Sequence, residues 1–176
     1  MSLTLFILGS LANENSNPYQ LKKALLDVIP IKISEGKFYY NFEALQKKGF
    51  IEPVETIQIV NRPNKTLYGI TEEGRRFLEQ EIYNSFKKVS KIEDLYISIY
   101  LLKYIDPVKA AFYLEETIKK EKERWDEFKQ AKVRMEILDD KQQRAVQFIS
   151  EHAFSQSEHN LHWMEKLLTF IKRFEE

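Results

Sequence analysis

The spacing of apolar residues changes at Gly49, and that change limits the folds open to this chain. Before Gly49 they recur at helical intervals, with Phe38, Phe42 and Leu45 on one face. Ser34 precedes the run with a hydroxyl suited to the free N–H groups of a first turn. Gly49 stands where a left-handed residue would end the helix. After it the pattern is strand-like: Ile51, Val54, Ile57 and Ile59 mix with Glu52, Glu55 and Gln58, and Pro53 sits near the start. Asn61-Arg62-Pro63-Asn64-Lys65 reads as a turn, and Leu67, Tyr68 and Ile70 as the returning strand. A lone hairpin is marginal in water, so it must lean on helices.

Those helices are legible on both sides. Leu3, Leu5, Phe6, Ile7, Leu8 and Leu11 face nearly every direction, the pattern of a helix buried from two sides. Asn17-Pro18 reads as an N-cap followed by proline at the first helical position, opening a helix with Tyr19, Leu21, Leu25 and Leu26 that ends near Val28, before Pro30. Thr71-Glu72-Glu73 opens another helix after the hairpin, with Gly74 in its first turn. Three helices and a basic-tipped hairpin make a winged helix-turn-helix. In the Ser34 helix, Lys37, Tyr40, Asn41 and Ala44 share a face turned from the core, close to the helix start. A helix that enters the major groove by its first turns needs such a face. Asn pairs with adenine through two hydrogen bonds, Lys reaches guanine or phosphate, and a Tyr hydroxyl reaches phosphate.

With these elements in order the chain resembles the PadR family of transcriptional regulators. The resemblance rests on Ile7-Leu8-Gly9, Pro18-Tyr19-x-Leu21, Ile33-Ser34-x-Gly36-x-x-Tyr39, Leu45-x-x-x-Gly49-x-Ile51 and Tyr68-x-Ile70-Thr71-Glu72-Glu73-Gly74, and covers most of residues 3–80. Pro18, Lys37, Tyr40 and Asn41 depart from the family's usual residues and bear on the target sequence rather than the fold. The resemblance implies double-stranded DNA as partner, with a near-palindromic operator. Lys37, Tyr40 and Asn41 would face the groove. Tyr39 would anchor on phosphate, Arg62 and Lys65 would grip the backbone from the wing, and Lys22 and Lys23 would add phosphate contacts.

From Ser90 onward no strand signal appears. Ile92 to Tyr104 reads as an apolar helix with Leu95, Ile99 and Leu102 on one stripe. Asp106-Pro107 opens a long helix to about Leu138, whose Ala111, Leu114, Ile118, Trp125, Phe128 and Met135 lie near a heptad seam broken by Glu121 and Lys132. A last helix follows Asp139-Asp140, with Leu161, Met164, Leu168 and Ile171 on one stripe. The fold class expected is therefore mainly α with a small β-hairpin: a winged helix-turn-helix over residues 1–86 and a three-helix half over 87–176. The resemblance implies that this half makes a homodimer through Ile118, Trp125, Phe128, Trp163, Met164 and Leu168. Two-fold operators need two reading heads. It also implies a small, aromatic effector. Tyr96, Tyr100, Phe112, Trp125 and Trp163 could line a pocket for it or serve as interface core.

Composition excludes several other classes. The chain has no Cys, hence no disulfide, thiol nucleophile or Cys-ligated zinc, which fits a reducing cytoplasm. No Gly-x-Ser-x-Gly, phosphate-cradling loop or Ser–His arrangement is present, and no enzyme is expected. His152, His159 and His162 lie without a carboxylate in metal-binding spacing, so neither a metal nor another cofactor is expected. There is no apolar run long enough for a membrane span. Formal net charge is zero; residues 1–90 hold twelve Lys and Arg against ten Asp and Glu. Contact with DNA must therefore come from local clusters and from pairing of two heads, not from a global field. The same neutrality leaves a second function class, a winged helix used for protein contacts without DNA.

Overall fold

The computed structural model describes residues 3–28, 34–58, 64–130 and 138–174. The chain divides into two compact units, one of Met1–Ser85 with Glu93–Ile105, the other of Phe86–Ile92 with Asp106–Glu176.

The first unit holds helices α1 (Leu3–Asn13), α2 (Pro18–Val28) and α3 (Glu35–Lys47), strands β1 (Ile51–Ile57) and β2 (Lys65–Ile70), and most of α4 (Glu72–Lys88). Among the described residues it is a winged helix-turn-helix, mainly α with one hairpin. Helix α1 is its axle, with Leu3, Leu5, Phe6, Ile7, Leu8 and Leu11 all buried. Asn17 caps α2 by accepting from Gln20 N–H at 3.0 Å, while its own amide donates to Gln20 Oε1 at 2.7 Å. Helix α3 starts at Ser34, whose hydroxyl accepts from Lys37 N–H. It stops at Gly49, with φ of 74°. There Gly49 N–H bonds Gln46 O and Phe50 N–H bonds Leu45 O, the two bonds of a Schellman end.

The hairpin runs antiparallel from Ile51 opposite Ile70 to Ile57 opposite Lys65, and its register shifts between Pro53 and Glu55. That irregularity lets a strand carry a proline. Ser16 pairs with Tyr68 through two backbone bonds of 3.0 and 2.9 Å, which ties the α1–α2 connection to the far side of β2. The wing thereby gains the support that a free hairpin lacks. Thr71 closes the other end: its hydroxyl donates to Gly49 O at 2.8 Å and accepts from Gly74 N–H at 3.0 Å.

Residues 93–105, which follow the expected boundary at residue 86, belong to this first unit. The apolar stretch read as one helix is a short helix, α5 (Tyr96–Tyr100), between two 3₁₀ turns, Ile92–Leu95 and Leu102–Tyr104. Its apolar residues are buried on more than one side, Leu95, Ile97, Leu101 and Leu102 alike. A single amphipathic stripe would suit only one such side, and the tight turns let the strap fold into the core. Leu101 packs onto Gly9, Tyr104 donates its hydroxyl to Gly9 O at 3.2 Å, and Lys103 reaches Asn13 at 3.2 Å.

The second unit is built on α6 (Pro107–Gln130) and α7 (Asp140–Lys172). Asp106 caps α6 by accepting from Val108 N–H at 2.8 Å. Asp139 and Gln142 form a capping box at α7. The expected continuation of α6 towards Leu138 passes into residues outside the described ones. The pair buries Ala110, Ala111, Leu114 and Ile118 with Met164, Leu167 and Ile171. Thr117 adds a buried bond to Phe86 O at 2.9 Å. Among the described residues no helix is long and apolar enough to cross a membrane.

Candidate nucleic-acid interface

Helix α3 has a clear inside. Phe38, Phe42 and Leu45 are buried, and Phe42 meets Tyr68 of β2 edge to face at 4.9 Å. Its outside is equally clear. Lys37, Tyr40, Glu43 and Lys47 are exposed, and Tyr40 is 73% accessible. Sequence spacing put Lys37, Tyr40, Asn41 and Ala44 on one face. The structure exposes Lys37 and Tyr40 and half-buries Asn41 and Ala44. Asn41 is held on both ends: its amide donates to Lys37 O at 2.7 Å and its carbonyl accepts from Thr4 of α1 at 3.5 Å. Tyr39 is half-buried, its ring edge-on to Phe38 at 5.7 Å.

At the start of α2, Lys22 is paired with Glu35 at 2.6 Å, a bridge between the two helices of the helix-turn-helix. Lys23 is exposed. In the wing, Lys65 is half-buried at the end of β2, and Arg62 lies outside the described residues. The first unit thus carries Lys37, Tyr40, Lys23 and Lys65 with no hydrogen bond or ion pair from their polar ends among the described residues, while Lys22 and Asn41 are engaged. Glu43 and Lys47 are also exposed on α3 though not singled out from sequence, and Gly36, named above only for the resemblance, lies on the same side. The signal was present: measured from the buried triad rather than from the helix start, these three stand opposite the core at about 100° per residue.

The residues expected to pair two copies divide into two groups. Ile118 and Met164 are buried within the protomer. Trp125 and Leu168 are half-buried, and Phe128 and Trp163 are exposed. Trp125, Phe128 and Phe154 form a three-ring cluster with centroids 5.4 to 5.7 Å apart. Of the aromatic residues considered for an effector, Tyr96 and Tyr100 lie in the first unit and Phe112, Trp125 and Trp163 in the second. The three histidines lie on the exposed side of α7, with His159 and His162 flanking the Trp163 ring at 6.4 and 6.0 Å. Among the described residues no group of His, Cys, Asp or Glu is gathered that could hold a metal ion.

Residues 7–80 match the transcriptional regulator PadR-like family. A comparison with curated proteins finds no match. Among solved structures, Bacillus subtilis PadR in complex with operator DNA is 15% identical, the match covering 96% of this chain and 98% of that one at a TM-score of 0.42. The protein smu.1604c of Streptococcus mutans UA159 is 20% identical over 96% of this chain and 99% of that one, with a TM-score of 0.45. Bacillus subtilis PadR in complex with p-coumaric acid is 16% identical over 97% and 99%, with a TM-score of 0.38.

Proposed function

We propose, for a chain that belongs to the PadR-like family of transcriptional regulators through its residues 7–80, a homodimeric DNA-binding repressor of the cytoplasm, released by a small aromatic effector. The observation that carries the proposal is the outward strip of α3. It stands uncovered beside a wing, on a helix whose other side is locked by Phe38, Phe42 and Leu45. A rigid rod with one polar, unpartnered face is what groove entry requires.

In this mechanism residues 1–86 read DNA and residues 87–176 pair the copies. Two α3 helices enter successive major grooves of a near-palindromic operator. Lys37 and Tyr40 lead into the groove, Tyr39 and Lys23 touch phosphate, and the wing residues Arg62 and Lys65 hold the flanking backbone. Lys22 and Asn41 brace the head from within. Neither head binds tightly alone, because the chain has no net charge; two heads on one dimer supply the affinity.

Pairing is supported by large apolar residues left exposed on α7, Phe148 and Ile149 in its first half and Trp163 and Phe170 in its second. Exposed side chains of this size suit a second copy of the chain. For the effector, an open cleft of about 510 Å³ in the first unit, lined by Phe6, Tyr100 and Tyr104 but also by Asn13, Gln20 and Lys103, has room for a single-ring molecule with polar substituents. An effector that alters the spacing of the two heads lowers affinity, because both half-sites can no longer be engaged together.

The test is a gel-shift titration of the full chain on duplex from the promoter of its own gene, repeated across salt. Sequence-specific retention that weakens steeply with salt is expected. Retention that is absent, or indifferent to sequence, would point to a winged helix used for protein contacts and overturn the proposal.

A further inference from the structure

We propose that Glu43 of α3 is a specificity-determining residue, accepting a hydrogen bond from the N4 amino group of a cytosine in the major groove, with Tyr40 packed beside it. This rests on the DNA-binding reading above and says which side of α3 does the reading.

The argument starts from the helix wheel. Phe38, Phe42 and Leu45 mark the core direction. At about 100° per residue, Tyr40 and Lys47 point away from that direction most directly. Lys37 lies to one side of them, and Gly36 and Glu43 to the other. Asn41 lies farther round, roughly 100° from Tyr40. Its amide is already satisfied by Lys37 O and Thr4. Turning it to an adenine would break both contacts. Glu43, by contrast, is exposed and has no hydrogen bond or ion pair among the described residues, although Lys47 stands one turn away.

A carboxylate on this face is a penalty unless something on the duplex donates to it, because phosphates repel it. Two features relieve the repulsion. Lys47, exposed one turn after Glu43, offsets its charge and can reach the backbone beside it. Gly36 leaves the helix start bare: a Cβ there would meet nothing within 4 Å. Nothing inside the protein requires glycine at this position, and its absence of side chain lets a sugar–phosphate strand come close on the Glu43 side. Within the groove the donors are the amino groups of cytosine and adenine. Adenine carries the N7 acceptor beside its amino group and would oppose a carboxylate; cytosine does not. The charge and the position together select cytosine.

The experiment is selection of duplexes from a randomised pool by the full chain, followed by sequencing, for the wild type, Glu43→Gln and Asn41→Ala. Circular dichroism melting checks that both variants fold; both sites are outside the core. The wild type is expected to enrich cytosine at one position in each half-site. Glu43→Gln should lose that preference on the order of tenfold and move it towards adenine, which glutamine reads bidentately. Asn41→Ala should keep the cytosine. An unchanged preference in Glu43→Gln, or its loss in Asn41→Ala, overturns the inference while leaving DNA binding intact. A wild type that enriches no sequence removes the DNA-binding reading and this inference with it.

Discussion

The carbonyl oxygen of Phe50 occupies the space that a side chain on Gly74 would need. The first turn of α4 is therefore pressed against the end of α3, with Thr71 bridging the two through Gly49 O. The glycine is here for close approach, since its φ is not in the left-handed region. Gly74→Ala must push backbone, not a flexible side chain. The expected loss is about 2–3 kcal/mol, read as a fall in Tm of roughly 5–10 °C by calorimetry. An unaltered Tm would mean that the contact gives way freely.

Gly36 predicts the opposite sign. It sits in the first turn of α3 with open space around it. Alanine there removes backbone freedom from the unfolded chain without a clash, and stability should rise by about 0.5–1 kcal/mol. If a DNA strand passes over that turn, the same methyl should weaken duplex retention several-fold. Thermal melting and gel shift on Gly36→Ala together test it; higher Tm with unchanged retention would move the duplex away from this side of the helix.

The pair of Lys22 and Glu35 gives a third. Their side chains are 23% and 68% accessible and 2.6 Å apart. As a surface pair near a helix N-terminus it adds only about 0.5–1 kcal/mol. Its larger effect is to occupy a lysine of α2 that would otherwise be free to reach phosphate. Glu35→Gln frees that lysine and removes a negative charge. Retention should tighten, and the slope of log affinity against log salt should steepen by about one. A shallower slope would show that Lys22 does not reach phosphate.

These contrasts mark what the sequence made legible. Period and caps located α1 to α4 and the hairpin because each signal is local: Asn17-Pro18, Ser34 with Gly49, and Thr71 all cap or end a helix as their chemistry suggests. The strap at residues 93–105 was harder. Its partners are Gly9 and Asn13, some ninety residues earlier, and no local pattern announces them. The outward face of α3 was legible only in part. Sequence spacing grouped Lys37, Tyr40 and Asn41, and the structure exposes the first two and half-buries the third, because periodicity fixes which residues share a side, not where that side's centre lies. The buried triad fixes the centre, and it leaves Asn41 at the margin beside Thr4.

The exposed side of α7, proposed above to pair two copies, is distinct from the seam that α7 makes with α6. Met164 is buried between α6 and α7, whereas Trp163, next to it, is 44% accessible. Successive helical residues differ by about 100°, so neighbours in sequence serve different surfaces. Met164→Ala should cost about 2–4 kcal/mol in the melting of the protomer, through the cavity it leaves. Trp163→Glu should leave the helical signal intact but put a charge on the exposed side of α7, beside the proposed pairing surface. Sedimentation should then report a monomer at concentrations where the wild type is a dimer. Operator retention should fall by more than tenfold, because a single head loses the effective concentration supplied by its twin. A Trp163→Glu protein that remains dimeric would exclude this side of α7 as the pairing surface and turn attention to the exposed Val108 and Phe112 of α6.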